Sequence, residues 1–237
     1  MQVIYLFDVD GTITEPQQPI SQEMIDTLVE LRETDEVYLV TGSDYNTLLE
    51  KKQLTPEMEK SLSGIFVCMG CELWVQGKLV SQSDKAFPKE LRYELGKILE
   101  DSDYPVRKGR HIIDRTGMIN FSVVGRNATP VDRKSYTRYD EECGERIKIA
   151  ERLSKMFPDL DFHIGGEISI DICAKGQNKS QVLARLPKDF IMFFGDRIRP
   201  GGNDFHLSRE IEEKDLGACF EVSGPEEALN TLPSIPR

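Results

Sequence analysis

The sequence predicts an α/β protein, in which a parallel sheet flanked by helices is interrupted by an inserted layer of the α+β type. Near both ends of the chain, short apolar runs that end in acidic or hydroxyl residues alternate with amphipathic helical patterns. Between these regions, helical patterns alternate instead with pairs of strand patterns. We therefore expect a core domain formed by residues 1–82 and 177–237 and an inserted cap domain formed by residues 83–176.

The composition favours a folded protein that works in water. Of the 237 residues, 39% are hydrophobic and 30% are charged, which is enough to bury a core and keep a charged surface. The chain has no apolar run long enough to span a membrane and no basic region before its first apolar strand. We therefore expect a cytoplasmic protein without a membrane partner. The net charge of −11 also disfavours nucleic acid, so an anionic substrate would need a local basic pocket.

The cysteines indicate neither a disulfide framework nor a zinc site. Their number is five, which is odd, and no secretion signal precedes them. Cys68 and Cys71 form a Cys-x-x-Cys pair, but no second pair or nearby histidine completes a zinc site. We expect ordinary reduced thiols.

The first apolar run, Val3–Phe7, leads directly into two carboxylates, Asp8 and Asp10, and then into Gly11. A run this short is typical of a strand buried on both faces, and open α/β sheets bind ligands at the carboxyl ends of their strands. In an extended chain the two carboxylates point the same way. Together with a main-chain carbonyl they form a hard-oxygen site suited to Mg²⁺. The alternative is a strand that ends in an ordinary Asp-Gly turn.

The next elements complete the first half of the predicted core. Ser21 is suited to cap a helix that carries Ile25 on its apolar face. The apolar run 37–40 predicts a second buried strand, and Ser43 follows it closely. A serine at this position is suited to cap the helix that follows. Further predicted elements are a helix over 44–53 and strands over 64–68 and 73–80.

The inserted segment predicts two helices over four strands. The first helix begins near Pro88, and the second begins at Thr129-Pro130, where an N-cap precedes a proline at the first helical position. The second helix is expected to continue to Phe157, with a break near Gly144. The strand patterns cover residues 111–113, 117–124, 161–164 and 167–172.

Beyond the insert, the alternation of helices and buried strands returns. Lys179 lies at the start of a helix predicted to reach Leu186. The apolar run 190–194 ends in Gly195-Asp196, and Asn203-Asp204 follows at the start of a further helix. The last predicted elements are a strand over 216–222 and a helix that begins at Gly224-Pro225.

The charged residues of both halves are predicted to meet. Asp8, Asp10, Lys179 and Asp196 each fall at the carboxyl end of a strand or the start of a helix of one presumed parallel sheet. A carboxylate nucleophile repels a phosphate dianion unless cations offset its charge. Mg²⁺ and a lysine are suited to that task, because phosphoryl transfer depends mainly on positioning and charge stabilisation. The alternative is a strand, a glycine-rich loop and a capped helix without a metal.

The string Phe7–Thr12 resembles the nucleophile motif of the haloacid dehalogenase superfamily. The resemblance implies that Asp8 is phosphorylated and that Asp10 is the general acid and base. It also implies that Ser43 hydrogen-bonds the transferring phosphate and that Lys179 neutralises charge shared by Asp8 and the phosphate. The implied Mg²⁺ ligands are Asp8, the carbonyl of Asp10, Asp196, and in support Asn203 or Asp204.

Two stretches of the insert are similar to the sugar-phosphate site in the cap of eukaryotic-type phosphomannomutases. Arg115 and Arg126 lie at the two ends of one strand pattern, and Arg133 follows in the first turn of the next helix. Ser169 and Asp171 lie two residues apart on one face of a later strand. The resemblance implies that the arginines grip the phosphate that is not transferred, and that Ser169 and Asp171 bind sugar hydroxyls.

The resemblance covers nearly the whole chain and implies interconversion of mannose 6-phosphate and mannose 1-phosphate through a phosphoaspartate. It implies a hexose 1,6-bisphosphate as activator and small hexose phosphates as partners, and it is compatible with a homodimer through the cap. Gln17 stands where the family usually has an arginine, which removes one cation from the phosphate site. The alternative is therefore an Mg²⁺-dependent sugar-phosphate phosphatase that uses water as the acceptor. A sensor without activity is disfavoured by the presence of Asp8, Asp10 and Lys179.

Overall fold

The computed structural model describes residues 2–83, 85–187 and 189–232. The strands in these ranges form two β-sheets. The strands are β1 Val3–Phe7, β2 Glu36–Val40, β3 Gly64–Val67, β4 Glu72–Val75, β5 Lys78–Gln82, β6 Ile112–Arg115, β7 Met118–Phe121, β8 Leu160–Gly165, β9 Ser169–Ala174, β10 Phe190–Gly195 and β11 Gly217–Glu221. The α-helices are α1 Gln22–Leu31, α2 Tyr45–Glu50, α3 Pro56–Ser61, α4 Lys89–Asp101, α5 Pro130–Cys143, α6 Glu145–Met156, α7 Phe205–Glu213 and α8 Pro225–Thr231. Short 3₁₀ segments cover Cys68–Gly70 and Lys179–Ala184.

The larger sheet has the strand order β11-β10-β1-β2-β3-β4-β5. The strands from β11 to β3 in this order run parallel, and β4 and β5 add an antiparallel hairpin at one edge. β1 lies between β10 and β2, and it is covered on both faces. Tyr5 and Phe7 belong to one hydrophobic cluster, and Ile4 and Leu6 belong to another. Burial on both faces explains why the apolar run of β1 is continuous rather than alternating.

The smaller sheet is antiparallel, with the strand order β6-β7-β9-β8. Its apolar side chains form a third hydrophobic cluster with those of α4, α5 and α6, which includes Leu95, Phe121, Tyr136 and Leu153. We refer to this sheet and its three helices as the cap, and to the larger sheet with the other helices as the core. In the chain, the cap lies between β5 and the second 3₁₀ segment.

The structure corrects the predicted cap in two respects. The second helical pattern forms two helices, α5 and α6, because Gly144 at the expected break adopts a left-handed conformation with φ of 66°. The layer therefore has three helices rather than two. The strand predicted over 117–124 ends at Phe121, so Arg115 and Arg126 do not lie at the ends of one strand. Arg115 is the last residue of β6, and Arg126 lies in the loop after β7.

The core differs from the prediction at two short elements. The helix expected from Lys179 to Leu186 is only a 3₁₀ segment, because Pro187 follows and disfavours helical geometry at the residue before it. Helix α3 was not predicted, although Thr55 caps it and Pro56 occupies its first position. None of the helices in the three described ranges combines the length and apolar character needed to cross a membrane.

The cap contacts the core at the carboxyl edge of the parallel strands. The backbone nitrogen of Ile164 in β8 donates to the carbonyl of Gly201, 3.1 Å away, in the loop that precedes α7. The guanidinium of Arg115 donates to the carbonyl of Gly42, and its Nε lies 3.3 Å from Asp44 Oδ2. These contacts enclose a cleft between the two sheets.

Candidate active site

The cleft begins at two neighbouring strand ends, those of β1 and β10. Asp8 directly follows β1, and its backbone nitrogen donates to the carbonyl of Phe194 in β10 at 2.9 Å. Asp196 directly follows β10, so parallel pairing brings the two carboxylates to the same edge. Gly11 makes this approach possible, because a Cβ there would lie 2.6 Å from Asp196 Oδ2, and its φ of 87° also favours glycine.

Lys179 lies fully buried beneath the cleft and joins two of the carboxylates. Its Nζ donates to Asp8 Oδ1 and, at 2.7 Å, to Asp204 Oδ1. Burial alone would lower the pKa of Lys179, but the charges of Asp204 and Asp8 outweigh burial and hold its pKa above the usual value. Lys179 therefore remains a cation within the sheet edge and offsets part of the acidic charge.

The carboxylates of Asp8, Asp196 and Asp204 form an acidic cluster, with ligand oxygens that all lie within 4.8 Å of one another. Burial, and then the charge of Asp204, raises the pKa of Asp196 to about 7. Burial also raises the pKa of Asp8 well above its usual value, although Lys179 opposes the shift. Lys179 and Arg197, whose Nε lies 3.6 Å from Asp196 Oδ2, thus supply too little positive charge for three carboxylates. Carboxylate oxygens are the ligands that hard divalent cations prefer, so the cluster fits a divalent metal.

A further oxygen strengthens this fit. Asn203 Oδ1 is buried and accepts no hydrogen bond from the residues that the structure describes. A buried amide oxygen without a partner is costly, and a cation in the cleft would satisfy it. Asn203 and Asp196 both line the cleft, whereas Asp204 lies beneath it and is fully buried.

Asp10 lies apart from the acidic cluster and faces a set of hydrogen-bond donors. Its Oδ1 accepts from the backbone nitrogen of Gln17 at 2.7 Å and from Gln53 Nε2 at 2.8 Å. Its Oδ2 lies 3.5 Å from Ser43 Oγ. Ser43 lies in the loop after β2 and therefore reaches the cleft beside Asp10. Gln53 was not among the residues predicted for the site.

The cap contributes three arginines to the opposite wall of the cleft. Arg126 donates to Ser169 Oγ at 3.1 Å, and Arg133 Nε donates to Glu167 Oε2 at 2.6 Å. Burial, and then the charges of Arg115 and Arg133, lowers the pKa of Arg126 to about 10. Three guanidinium groups that repel one another in this way form an environment that favours an anion.

The cleft-facing residues of β9 are held by the neighbouring strand. Asp171 Oδ1 accepts from Asn120 Nδ2 at 2.7 Å, and both residues line the cleft beside Ser169. Asn120 Oδ1 is also buried without a hydrogen-bond partner among the described residues. Asn120 was not predicted, although its place opposite Asp171 in the antiparallel register is consistent with a polar pair on the cleft face.

A third unpredicted residue, Arg146, contacts the turn between β8 and β9. Its Nε donates to Asp140 Oδ2 at 2.7 Å, and its Nη1 donates to the carbonyls of Gly166 and Ser169 at 3.1 and 3.4 Å. Glu167 and Ser169, which contact Arg133 and Arg126, lie on this turn or directly after it. Arg146 therefore fixes the backbone that orients two of the three cleft arginines.

The cleft has an empty volume of about 500 Å³ and brings together most of the predicted site residues. Lys179 and Asp204 are the predicted residues that do not line it, because both are buried behind Asp8. The predicted residues that line the cleft are Asp8, Asp10, Ser43, Arg115, Arg126, Arg133, Ser169, Asp171, Asp196 and Asn203.

The fold is of the haloacid dehalogenase-like class. A haloacid dehalogenase-like hydrolase from Bacteroides thetaiotaomicron superposes with a TM-score of 0.61 over all of both chains, at 12% identity. The model of the family described as "Eukaryotic phosphomannomutase" matches residues 24–235.

Relatives from two eukaryotes agree with this match. The chain is 36% identical to the phosphomannomutase of Saccharomyces cerevisiae, and the alignment covers 99% of this chain and 94% of the yeast protein. It is 34% identical to phosphomannomutase 1 of Dictyostelium discoideum, over 98% of this chain and 96% of that protein. The chain belongs to the eukaryotic phosphomannomutase family.

Proposed function

We propose that the chain interconverts mannose 6-phosphate and mannose 1-phosphate through a phosphoaspartate at Asp8. The observation that carries the proposal is the two-ended cleft, with a buried carboxylate and lysine at one end and three arginines at the other. A substrate with one phosphate needs cations at the first end only. A hexose bisphosphate also needs a second anion site about a sugar's length away, which supports a mutase.

At the core end, Asp8 attacks the phosphorus while Lys179 stabilises the charge on the oxygens of the phosphoryl group. Asp8, the carbonyl of Asp10, and Asp196 would hold Mg²⁺, with Asn203 or Asp204 in support. When bound, Mg²⁺ supplies positive charge beside the transferring phosphate. Because Lys179 is fixed between Asp8 and Asp204, its charge is in place before the substrate arrives.

Asp10 carries out the proton transfer. It takes the proton from the sugar hydroxyl that attacks the phosphoaspartate, and in the reverse step it returns a proton to the sugar oxygen that leaves phosphorus as Asp8 attacks. A hexose 1,6-bisphosphate phosphorylates Asp8 at the start of the cycle and so acts as the activator. A bound hexose monophosphate then takes the phosphate from Asp8 and becomes a bisphosphate, which turns round in the cleft and returns its other phosphate to Asp8.

At the cap end, Arg115, Arg126 and Arg133 bind the phosphate that is not transferred. An arginine can donate to two phosphate oxygens at once, and each charge-assisted bond contributes roughly 1.5 to 3 kcal/mol. Ser169 and Asp171 bind the sugar hydroxyls. With the cap closed on the core, water is excluded and the phosphoaspartate reacts with the sugar first.

The decisive experiment compares isomerised sugar with released phosphate in one preparation. Mannose 1-phosphate is supplied with a hexose 1,6-bisphosphate and Mg²⁺, and both products are measured over the same time course. We expect mannose 6-phosphate to form faster than inorganic phosphate. Phosphate release without isomerised sugar would contradict the mutase and support the phosphatase, with Gln17 as the first residue to replace by arginine.

The metal is tested separately by removing it. Exhaustive treatment with EDTA is expected to abolish turnover, Mg²⁺ to restore it, and Zn²⁺ to substitute poorly, because carboxylate and carbonyl oxygens suit hard cations. Mg²⁺ is also expected to raise the melting temperature of the metal-free protein, since a ligand that binds the folded state stabilises it. Full turnover after chelation would exclude the metal site.

Three further expectations from the sequence remain proposals. The chain divides into the core domain 1–82 and 177–237 and the cap domain 83–176, it resides in the cytoplasm, and it forms a homodimer through the cap. The exposed apolar side chains of Tyr93 and Val131, which are 65% and 78% accessible, support an interface on the cap. Analytical ultracentrifugation of the wild type and of a Tyr93→Lys and Val131→Lys double variant tests the dimer.

A further inference from the structure

Gln53 lies in the loop after α2 and is fully buried behind Asp10, outside the lining of the cleft. Its Nε2 donates to Asp10 Oδ1 at 2.8 Å and to Thr14 Oγ1 at 3.0 Å. Its own backbone nitrogen donates to the carbonyl of Leu48 at 2.9 Å, which ties the loop to α2. The side chain therefore contacts Asp10 from a fixed position but cannot touch a substrate.

A second donor acts on the same oxygen of Asp10. The backbone nitrogen of Gln17 lies 2.7 Å from Oδ1, and the residue reaches this position through a left-handed conformation with φ of 62°. Its side-chain Nε2 lies 3.4 Å from the same Oδ1. The other oxygen, Oδ2, has only Ser43 Oγ, 3.5 Å away, among the described donors. The two oxygens of Asp10 are therefore in different environments.

This difference decides which oxygen can carry a proton. A proton on Oδ1 would point at N–H groups that already donate to that oxygen, and their hydrogen bonds would be lost. A proton on Oδ2 leaves Oδ1 as a carbonyl oxygen, which still accepts both donors. Oδ1 is therefore the oxygen that the protein holds, and Oδ2 is the oxygen that remains available on the cleft side, beside Ser43.

We propose that Gln53 is a positioning residue, which reserves Asp10 Oδ1 as a permanent acceptor and turns Oδ2 toward the cleft as the proton-transferring oxygen. The proposal rests on the proposed function. As the sugar oxygen bonds to phosphorus and the bond from phosphorus to Asp8 breaks, the hydroxyl proton moves to Oδ2. In the reverse step the proton moves from Oδ2 to the departing sugar oxygen, so no other reactant is required.

The test uses two phosphate donors that differ in their need for a proton. A sugar oxygen requires protonation as it leaves, whereas p-nitrophenolate leaves without it. The first-turnover release of p-nitrophenol from p-nitrophenyl phosphate thus reports phosphorylation of Asp8 without acid catalysis. The isomerisation of mannose 1-phosphate reports the full cycle, in which Asp10 Oδ2 transfers the proton.

Gln53→Met removes the donor at nearly constant volume, and Gln53→Glu replaces it with an acceptor of the same size. We expect both variants to lower kcat for isomerisation by about 10- to 100-fold, a part of the total contribution of acid–base catalysis, with KM within about twofold. First-turnover release of p-nitrophenol should change by less than about threefold. Thr14→Val, which removes the other partner of Gln53, should keep the wild-type values for both reactions.

Several outcomes would overturn the proposal. Equal losses with both phosphate donors, or a loss in Thr14→Val as large as that in Gln53→Met, would mean that Gln53 only supports the fold. No loss in a folded Gln53→Glu protein would mean that Asp10 needs no such support. Asp10→Asn distinguishes a failure of the positioning role of Gln53 from a failure of the proposed function. If Asp10→Asn discriminates between the phosphate donors and Gln53→Met does not, only the positioning role fails, whereas an Asp10→Asn protein without discrimination overturns the proposed function as well.

Discussion

The two ends of the cleft carry charges of opposite sign, with carboxylates at the core end and arginines at the cap end. At the core end, three carboxylates share one buried lysine, and burial raises the pKa values of Asp8 and Asp196. At the cap end, three arginines lie close together, and burial with their mutual repulsion lowers the pKa of Arg126. The core end is thus short of positive charge, and the cap end is short of negative charge. A cation at one end and a phosphate at the other would satisfy both.

The means by which each end is held in place also differ. Lys179 is fixed by ionic hydrogen bonds to Asp8 and Asp204, so the core end is held by charge. Arg126 donates to the neutral hydroxyl of Ser169, and that residue's backbone is held by Arg146. Arg115 and Arg133 form ion pairs with Asp44 and Glu167, so Arg126 is the cap arginine whose charge is available to a ligand. The core end is expected to determine whether the reaction occurs, and the cap end to determine on which substrate.

The strongest way to break the core end is Asp8→Asn, which keeps the size of the side chain and removes its charge. We expect turnover of mannose phosphates and of p-nitrophenyl phosphate to fall together by at least about 10⁴-fold, because a nucleophile and its partners act as a unit. Asp26→Asn, at an exposed position on α1, is the matched control. Retained activity in a folded Asp8→Asn protein would exclude the covalent mechanism.

Arg126→Gln addresses the cap end alone. The variant should lose roughly 10- to 100-fold in kcat/KM for mannose phosphates, the equivalent of one charge-assisted hydrogen bond. The reaction of p-nitrophenyl phosphate, which has no second anion, should stay within about threefold of the wild type. Arg138→Gln, at an exposed position of α5, controls for the loss of a cap arginine. Equal losses for the two substrates would contradict a division of labour between the two ends.

A smaller effect is expected from Arg146→Lys, which keeps the charge beside Asp140. Lysine cannot reproduce the planar fork that reaches both Asp140 and the carbonyls of Gly166 and Ser169. We expect KM for mannose phosphates to rise about 10-fold while kcat changes little. Titration of the variant with a hexose bisphosphate by calorimetry measures the loss of affinity directly. Unchanged affinity would show that Arg146 does not support substrate binding by the cap.

The smallest predicted effect concerns His163, which lies where the cap contacts the core. His163 in β8 is buried, its Nε2 has no described hydrogen-bond partner, and its ring lies edge-on to that of His206 in α7 at 5.3 Å. Burial, and then the charge of His206, lowers the pKa of His163, while Asp161 and Asp171 oppose the shift. Below about pH 6.5 the unfolded chain therefore binds a proton that the folded chain does not, and stability falls as pH falls.

His163→Gln removes this dependence. Between pH 7.5 and 5.5, the wild type should lose up to about 1.4 kcal/mol more of its free energy of unfolding than the variant loses. The difference between the two proteins isolates His163, because the buried carboxylates contribute equally to both. Urea denaturation at the two pH values measures it, and parallel curves would show that His163 is protonated in the folded protein.

The site residues that the sequence predicted most directly are those that follow a short apolar strand pattern. Asp8 and Asp196 follow buried strands, and short apolar runs identify such strands without any knowledge of tertiary contacts. The boundaries of the cap strands were less certain, because β7 is only four residues long and is followed by an irregular loop that carries Arg126. The placement of the cap arginines came from the family resemblance and not from their spacing.

The positioning residues could not be predicted in the same way. Gln53 contacts Asp10 across 43 positions of the chain. It was predicted as the last residue of a helix over 44–53, but the helix ends at Glu50 and Gln53 lies in the loop that follows. Arg146 lies on an amphipathic helix, where an arginine is usually solvated, and its burial follows from the left-handed turn at Gly144 and the acid at Asp140. Such residues become visible only when separate segments are brought together.

The pairing of β1 with β10 has a consequence for how the chain folds. Val3 lies opposite Phe190 in the sheet, so the strand that carries Asp8 lacks one neighbour until the last quarter of the chain has been synthesised. The cap, by contrast, forms from one continuous segment with antiparallel neighbours, which can pair as soon as they emerge. Contacts between near neighbours form faster than contacts between distant ones. The larger sheet can therefore be completed only after the insert has been synthesised.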